Sequence, residues 1–187
     1  MTTNPVTTPA EATSAEATGT TQGDDPIRGS RRDQRNEPFE TPSPDEIVAM
    51  TGPHVAAMER STSERTWTLA GMKYVLIIAT GRKSGEVRKT PLPYWLDEHS
   101  HRILVASFAG SEHHPAWYHN MADTAANPSV RVRERDRVCS CEVDVLDGDE
   151  YTQIWDAVTT DRPFYLEYQA KVARRIPLLR LREITSD

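Results

Sequence analysis

The residues of this chain that could do chemistry lie in three places. The first is Thr80-Gly81-Arg82-Lys83-Ser84-Gly85, continued by Arg88-Lys89-Thr90-Pro91-Leu92. Turn N–H groups, hydroxyls and Arg or Lys side chains gathered on one hairpin are the donors that a phosphate or carboxylate needs. The stretch is not a P-loop, because G-x-x-x-x-G-K-[ST] is absent. On composition alone a solvated basic turn is the default. The second place is Ala106-Ser107-Phe108-Ala109-Gly110, followed by His113-His114-Pro115-Ala116-Trp117-Tyr118-His119-Asn120. A strand end, a bend of small residues and a helix start could hold a planar ring against backbone, with helical N–H groups toward anionic oxygens. Taken singly, Trp117 and Tyr118 are more often core, the histidines more often exposed, and Ser107 more often a strand-end hydroxyl bonded to backbone. The third is Pro163-Phe164-Tyr165-Leu166-Glu167-Tyr168. Its phenols at i and i+3 could line a pocket and donate protons, although an aromatic stripe at this spacing is usually packing.

The elements that must position these groups follow from pattern. Residues 67–80 read as a strand, because Tyr74-Val75-Leu76-Ile77-Ile78 is a continuous β-branched and aromatic run suited to burial on both faces. The turn at 81–85 leads to a return strand at 87–96, where Pro91 and Pro93 mark an edge or a bulge. Residues 103–108 form another strand, and Pro115 opens a helix over 116–126 that Asn127-Pro128 closes. A hairpin over 130–132 and 138–146 follows. Tyr151, Ile154, Trp155 and Val158 then mark an amphipathic helix at 149–160. Pro163 starts a last helix, and Pro177 precedes a final strand at 178–181. About six antiparallel strands with flanking helices fit a closed or split β-barrel, a mainly β, α+β fold.

Bulk composition narrows the function. The chain has 187 residues, is 37% hydrophobic and carries net charge −6, which suits one domain and gives no general attraction to nucleic acid or anionic lipid. Residues 1–45 hold almost no large apolar side chain and are expected to be a disordered tail, leaving 46–187 as the folded domain. A short helix is expected to follow, because Ser43-Pro44-Asp45-Glu46 resembles a helix cap and Ile47, Met50 and Val55 could form its apolar side. No apolar run is long enough to span a membrane, and no export signal opens the chain, so a cytoplasmic location is expected. Cys139 and Cys141 sit on one face of a strand, and no zinc-like spacing accompanies them, so no metal is expected.

The strings GRKSG…R…PL, VASFAG…HPAWYHN and ANPSV, with the Tyr-x-x-Tyr helix leading to Arg-x-x-Pro, resemble the deazaflavin-dependent nitroreductase family. The resemblance covers residue 67 to the C-terminus and implies an FMN-binding-barrel-like split β-barrel that binds coenzyme F420. It implies that Arg82, Lys83, Ser84 and Arg88 meet the anionic tail of the cofactor. Thr90, Pro91 and Leu92 would then run beside the ring system, with Ala106 and Ser107 beneath it. Ala116, Trp117, Tyr118, His119 and Asn120 match the second cofactor-contacting stretch. Tyr165 and Tyr168 match residues on the substrate side, with Tyr165 also near the cofactor. Ser107, Tyr165 and Tyr168 are the implied catalytic groups. This sequence departs from the pattern at Phe108, where Lys is common, and at Arg162, where Tyr is common.

The implied reaction is hydride transfer from reduced F420 to an electron-poor acceptor such as a quinone, an enone or a nitroaromatic, with the protein orienting the reactants and supplying a proton. The alternatives are an FMN-dependent reductase on the same barrel and a non-catalytic module that binds F420 or a hydrophobic ligand. The implied partner is a small-molecule electron acceptor rather than nucleic acid. A homodimer and peripheral membrane contact stay open.

Overall fold

The computed structural model of the chain describes Met1 and residues 41–184. The tail expected at residues 1–45 therefore falls mostly on residues 2–40, outside the described residues. Where the description resumes, Ser43 and Glu46 form a reciprocal cap. The Ser43 hydroxyl accepts from the Glu46 N–H at 3.3 Å, and the Glu46 carboxylate accepts from the Ser43 N–H at 2.8 Å. Helix α1, Pro44–Arg60, follows with its proline in the first turn.

Residues 67–80 are not one strand. Helix α2, Glu64–Trp67, takes the first of them, and strand β1, Thr68–Leu69, turns into β2, Met72–Thr80. The two-residue turn between them has Ala70 at φ 49° and Gly71 at φ 70°, both left-handed, as a tight hairpin with the natural strand twist requires. Ala-Gly is a weaker hairpin signal than Asn-Gly, which is why the apolar run masks the turn. After β2 the chain returns through β3, Val87–Pro93, and β4, Trp95–Leu96, then through β5, Arg102–Val105. Strands β6, Val130–Glu134, and β7, Arg137–Val145, form the expected hairpin, and β8, Leu178–Glu183, ends the sheet.

Barrel closure depends on the segment 87–96. Its first half, β3, pairs with β2 from Tyr74↔Pro93 to Thr80↔Val87, and its second half, β4, pairs with β5. The remaining ladder runs β2-β6-β7-β8-β5, all antiparallel, so the six long strands return on themselves through a chain that changes partner at Tyr94. This is the expected split barrel. Pro91 and Pro93 are tolerated because, among the described residues, β3 has β2 as its only ladder neighbour.

Period-two alternation sorts the side chains. Val75, Ile77, Leu92, Leu104, Val130, Val132, Cys141, Leu179 and Leu181 fill the interior. On the outside, α1 packs Met58 and Val55 against Leu76, Tyr74 and Ile78 of β2. Helices α4, Gly148–Asp161, and α5, Phe164–Ala170, cover the outer face of β4, β5 and β8 through Tyr151, Val158, Tyr165 and Tyr168. Burial pushes the Cys141 thiol up to about 12, leaving it a neutral core residue 3.8 Å from the Cys139 sulfur. Leu104 is fully buried inside the barrel. Replacing it by alanine is expected to cost about 2–5 kcal/mol, read as a lower urea midpoint at unchanged slope.

Candidate active site

The turn at 81–85 projects beyond the barrel. Strand β6 pairs only with Leu76, Ile77 and Ile78 of β2, so Ala79 and Thr80, with their partners Arg88 and Val87, run past it. The turn is closed by Gly81 N–H to Glu86 O at 2.8 Å and Gly85 N–H to Gly81 O at 2.7 Å. Gly85, at φ +71°, occupies a conformation that a side chain would strain. Arg82, Lys83 and Ser84 are exposed. Arg88 pairs with Glu86 at 2.7 Å, whereas Arg82 and Lys83 meet no carboxylate among the described residues. Thr90 and Leu92 share the inward face with Ile77 and Val75, while Pro91 faces outward beside Leu76.

The second stretch is tied to this turn by two asparagines. Asn120, in helix α3, Ala116–Met121, accepts the Arg82 N–H on its Oδ1 at 3.2 Å. Asn127, 4% exposed, accepts the Thr80 N–H at 2.7 Å and donates its amide to Thr80 O at 2.8 Å and Asn120 O at 2.9 Å. One buried amide thus holds the base of the hairpin to the end of α3. Helix α3 is shorter than the helix expected at 116–126, because the Asp123 carboxylate captures the Ala126 N–H at 3.1 Å and diverts the backbone into a turn. With only six residues, α3 adds little dipole to the site.

Ser107 lies at the opposite end of the same segment. Strand β5 stops before it, and the Ala106 N–H turns to Pro177 O at 2.9 Å. The strand expected at 103–108 thus ends three residues early, and Phe108, Ala109 and Gly110 adopt φ of 49°, 54° and 77°, a left-handed run. Each non-glycine residue held there costs about 1–2 kcal/mol, so neighbouring contacts must impose the shape. At Gly110 an added Cβ would stand 3.0 Å from Tyr168 O, which shows how closely this bend meets α5. The Ser107 hydroxyl, like those of Thr90 and Tyr118, is bonded to no described residue. Beside it, Tyr118, His114 and His119 pack as a cluster with ring centroids 4.8–5.7 Å apart. Trp117 and Tyr118 also rest on the barrel core that includes Leu92 and Ala106, while Ala116 is exposed on the outer side of α3.

The two tyrosines lie behind this bend. Tyr165 and Tyr168 are 3% and 4% exposed and meet edge to face at 5.9 Å. Burial raises both phenols, opposed for Tyr165 by the Arg162 guanidinium and for Tyr168 by the hydrogen bond to Thr41, so both stay protonated donors at neutral pH. The Tyr168 hydroxyl lies 2.8 Å from Thr41 Oγ1, and Arg162, itself buried, donates to Tyr94 O at 2.7 Å. From the sequence, Gly110, Asn127 and Arg174 appear only within strings and Arg162 only as a departure from the family pattern, and none of them is assigned a role in the site. The Asn-Pro pair reads locally as a helix stop, and nothing local shows that its amide reaches back 47 residues to Thr80.

The model of the F420H(2)-dependent quinone reductase family matches residues 51–183, which includes every residue just described except Thr41. The chain belongs to this family. A quinone reductase of this family, Rv1261c of Mycobacterium tuberculosis (strain ATCC 25618 / H37Rv), is 33% identical over 109 residues, spanning 56% of this chain and 70% of that one. Among solved structures, the F420-H2 dependent reductase FDR-A is 37% identical over 58% of this chain and 92% of its own, with TM-score 0.49. A second, described as a domain-swapped dimer, is 31% identical over 74% and 99%, also at 0.49. Membership makes the chain an F420H2-dependent oxidoreductase that acts on quinone-like acceptors.

The residues present suit a ligand with an anionic tail and a flat ring system. Unpaired Arg82 and Lys83 suit the charges, and the uncommitted Ser107, Thr90 and Tyr118 hydroxyls suit a polar ring edge. Replacing Asn127 by alanine should leave the Thr80 backbone groups and the Asn120 carbonyl without their buried partner. The expected loss is about 1–3 kcal/mol in urea, with faster hydrogen exchange at Thr80 and Arg82 than elsewhere in β2.

Proposed function

We propose that the chain binds reduced F420 on the surface between the 81–85 turn and the 107–120 segment and reduces a quinone there. The observation that supports this most is the Arg82 N–H to Asn120 Oδ1 bond, which makes the cationic turn and the aromatic segment neighbours. When bound, reduced F420 supplies a hydride, and one proton added to the second quinone oxygen completes the quinol. Arg82, Lys83 and Arg88 hold the anionic tail, with Ser84 hydrogen-bonding beside them. Ala106, Trp117, Tyr118 and His119 support the ring plane, while Thr90 and Leu92 border it and Asn120 fixes the turn.

Ser107 hydrogen-bonds the ring or acceptor carbonyl in this reading, because its hydroxyl has no other described partner. Tyr168 is better placed than Tyr165 to act on the acceptor. Its hydroxyl is engaged by the Thr41 hydroxyl, whereas Tyr165 lies against the buried Arg162. A phenol kept neutral by burial can donate its proton or a hydrogen bond, but it is no base. The reading includes a cytoplasmic location; among the described residues no helix is long and apolar enough to cross a membrane. It also includes a homodimer, supported by the exposed Val87 and Val138 on the outer sheet face, which sedimentation would check.

Titration with F420 should quench cofactor fluorescence at micromolar concentrations (~10⁻⁶ M, the scale of a moderate complex). F420H2 mixed with menadione and the protein should regain the absorbance of the oxidised cofactor. Binding without turnover across quinones would mark a binding module instead. Charge reversal of Arg82 and Lys83 together should weaken F420 binding by roughly tenfold or more, with the difference shrinking at high salt. Ser107→Ala should lower kcat by about 10–100-fold while F420 affinity changes little.

A further inference from the structure

Arg174 lies between α5 and β8, outside any regular element, yet its half-buried guanidinium has four partners on one segment. Nε donates to Ser111 O at 2.9 Å and Nη2 to Ser107 O at 2.9 Å. Nη1 reaches His114 Nδ1 at 3.0 Å and, more weakly, Ala106 O at 3.4 Å. These partners bracket the left-handed residues Phe108, Ala109 and Gly110 from both sides. A guanidinium has no acceptor, so His114 Nδ1 must accept and its proton sits on Nε2. Only a planar fork can serve carbonyls in these several directions, whereas an ammonium is a point charge on a flexible stem.

We propose that Arg174 is a positioning residue for turnover, one that fixes the left-handed bend through the Ser107 and Ser111 carbonyls and so aims the Ser107 hydroxyl. The inference rests on the role given to Ser107 above. Arg174 acts through the segment it holds and touches none of the reacting groups. Its bond to His114 adds a pH signature. His114 faces Arg174 from the 171–177 connection and Tyr118 and His119 from α3, with Glu112 and His113 beside it in sequence. Burial first, then the charges of Arg174 and His119, hold His114 below the usual imidazole value. Protonation removes the acceptor and sets two cations together. The bend is therefore fully held above the ordinary imidazole pKa, and the hold is lost as pH falls through the lower folded value.

The test uses the full chain with F420H2 and menadione, comparing wild type with Arg174→Lys, Arg174→Ala and His114→Gln. Arg174→Lys is expected to fold and to bind F420 within about threefold of wild type, while kcat falls roughly 10–100-fold, the scale of a misaimed catalytic group. Added methylguanidinium should restore part of the kcat lost in Arg174→Ala. Glutamine at 114 keeps an acceptor but does not titrate, so the acid-side fall in kcat should disappear in His114→Gln. An Arg174→Lys enzyme within twofold of wild-type kcat would overturn the inference, as would an acid limb that persists in His114→Gln. Should Arg174→Ala fail to fold, the lysine variant decides. A wild type that neither binds F420 nor oxidises F420H2 overturns both this inference and the functional reading, whereas an active wild type with unaffected variants overturns this inference alone.

Discussion

The segment 87–96 cannot serve one neighbour along its whole length. It follows β2 as far as Pro93, gives the Tyr94 N–H to Lys73 O at 3.0 Å, and then joins β5. That change of partner converts a meander into a barrel. It also shapes the candidate site: among the described residues the far end of the β2–β3 hairpin has no third strand beside it and meets a helix instead. Had the chain kept its first partner, Leu92 and Leu104 would not share an interior, and the basic turn would have no fixed neighbour.

Two kinds of restraint hold the site on that frame. At the turn they are amide hydrogen bonds, with Asn127 and Asn120 bridging strand and helix. At the Ser107 bend they are close packing and a half-buried cation, since Gly110 lies against Tyr168 and Arg174 gathers the surrounding carbonyls. Both act through backbone. Side chains with no partner among the described residues, such as Ser107 and Arg82, are thereby held in place by their backbone without being consumed.

Much of this was legible in the sequence, and the rest was hidden for definable reasons. The apolar run at Tyr74–Ile78, the amphipathic spacing of Tyr151 and Val158 and the cap at Ser43 each follow from local periodicity or local hydrogen bonding, and they stand where the pattern puts them. The Ala70-Gly71 turn is hidden because the strand-like run continues on both sides of it. The helix expected at 116–126 is too long because Asp123 competes for the backbone. The roles of Asn127 and Arg174 could not be read at all. Each acts on residues that only the closed barrel brings near: Asn127 reaches back to Thr80, and Arg174 to a bend 67 residues earlier. Tyr165 and Tyr168, expected on the substrate side, are both buried next to the bend, and i, i+3 spacing alone does not tell a pocket wall from a core.

The exposed turn at 81–85 concentrates positive charge. Arg82 and Lys83 are consecutive on an exposed, glycine-bounded loop, and among the described residues no acid pairs with either. A sequence selected for stability alone would place a glutamate there, as it has placed Glu86 beside Arg88. A polyanion bound there, as proposed, would neutralise the loop as well as bind to it. Tightness of capture and poor self-sufficiency of the turn are then one physical property, and a substitution that improved the second would weaken the first.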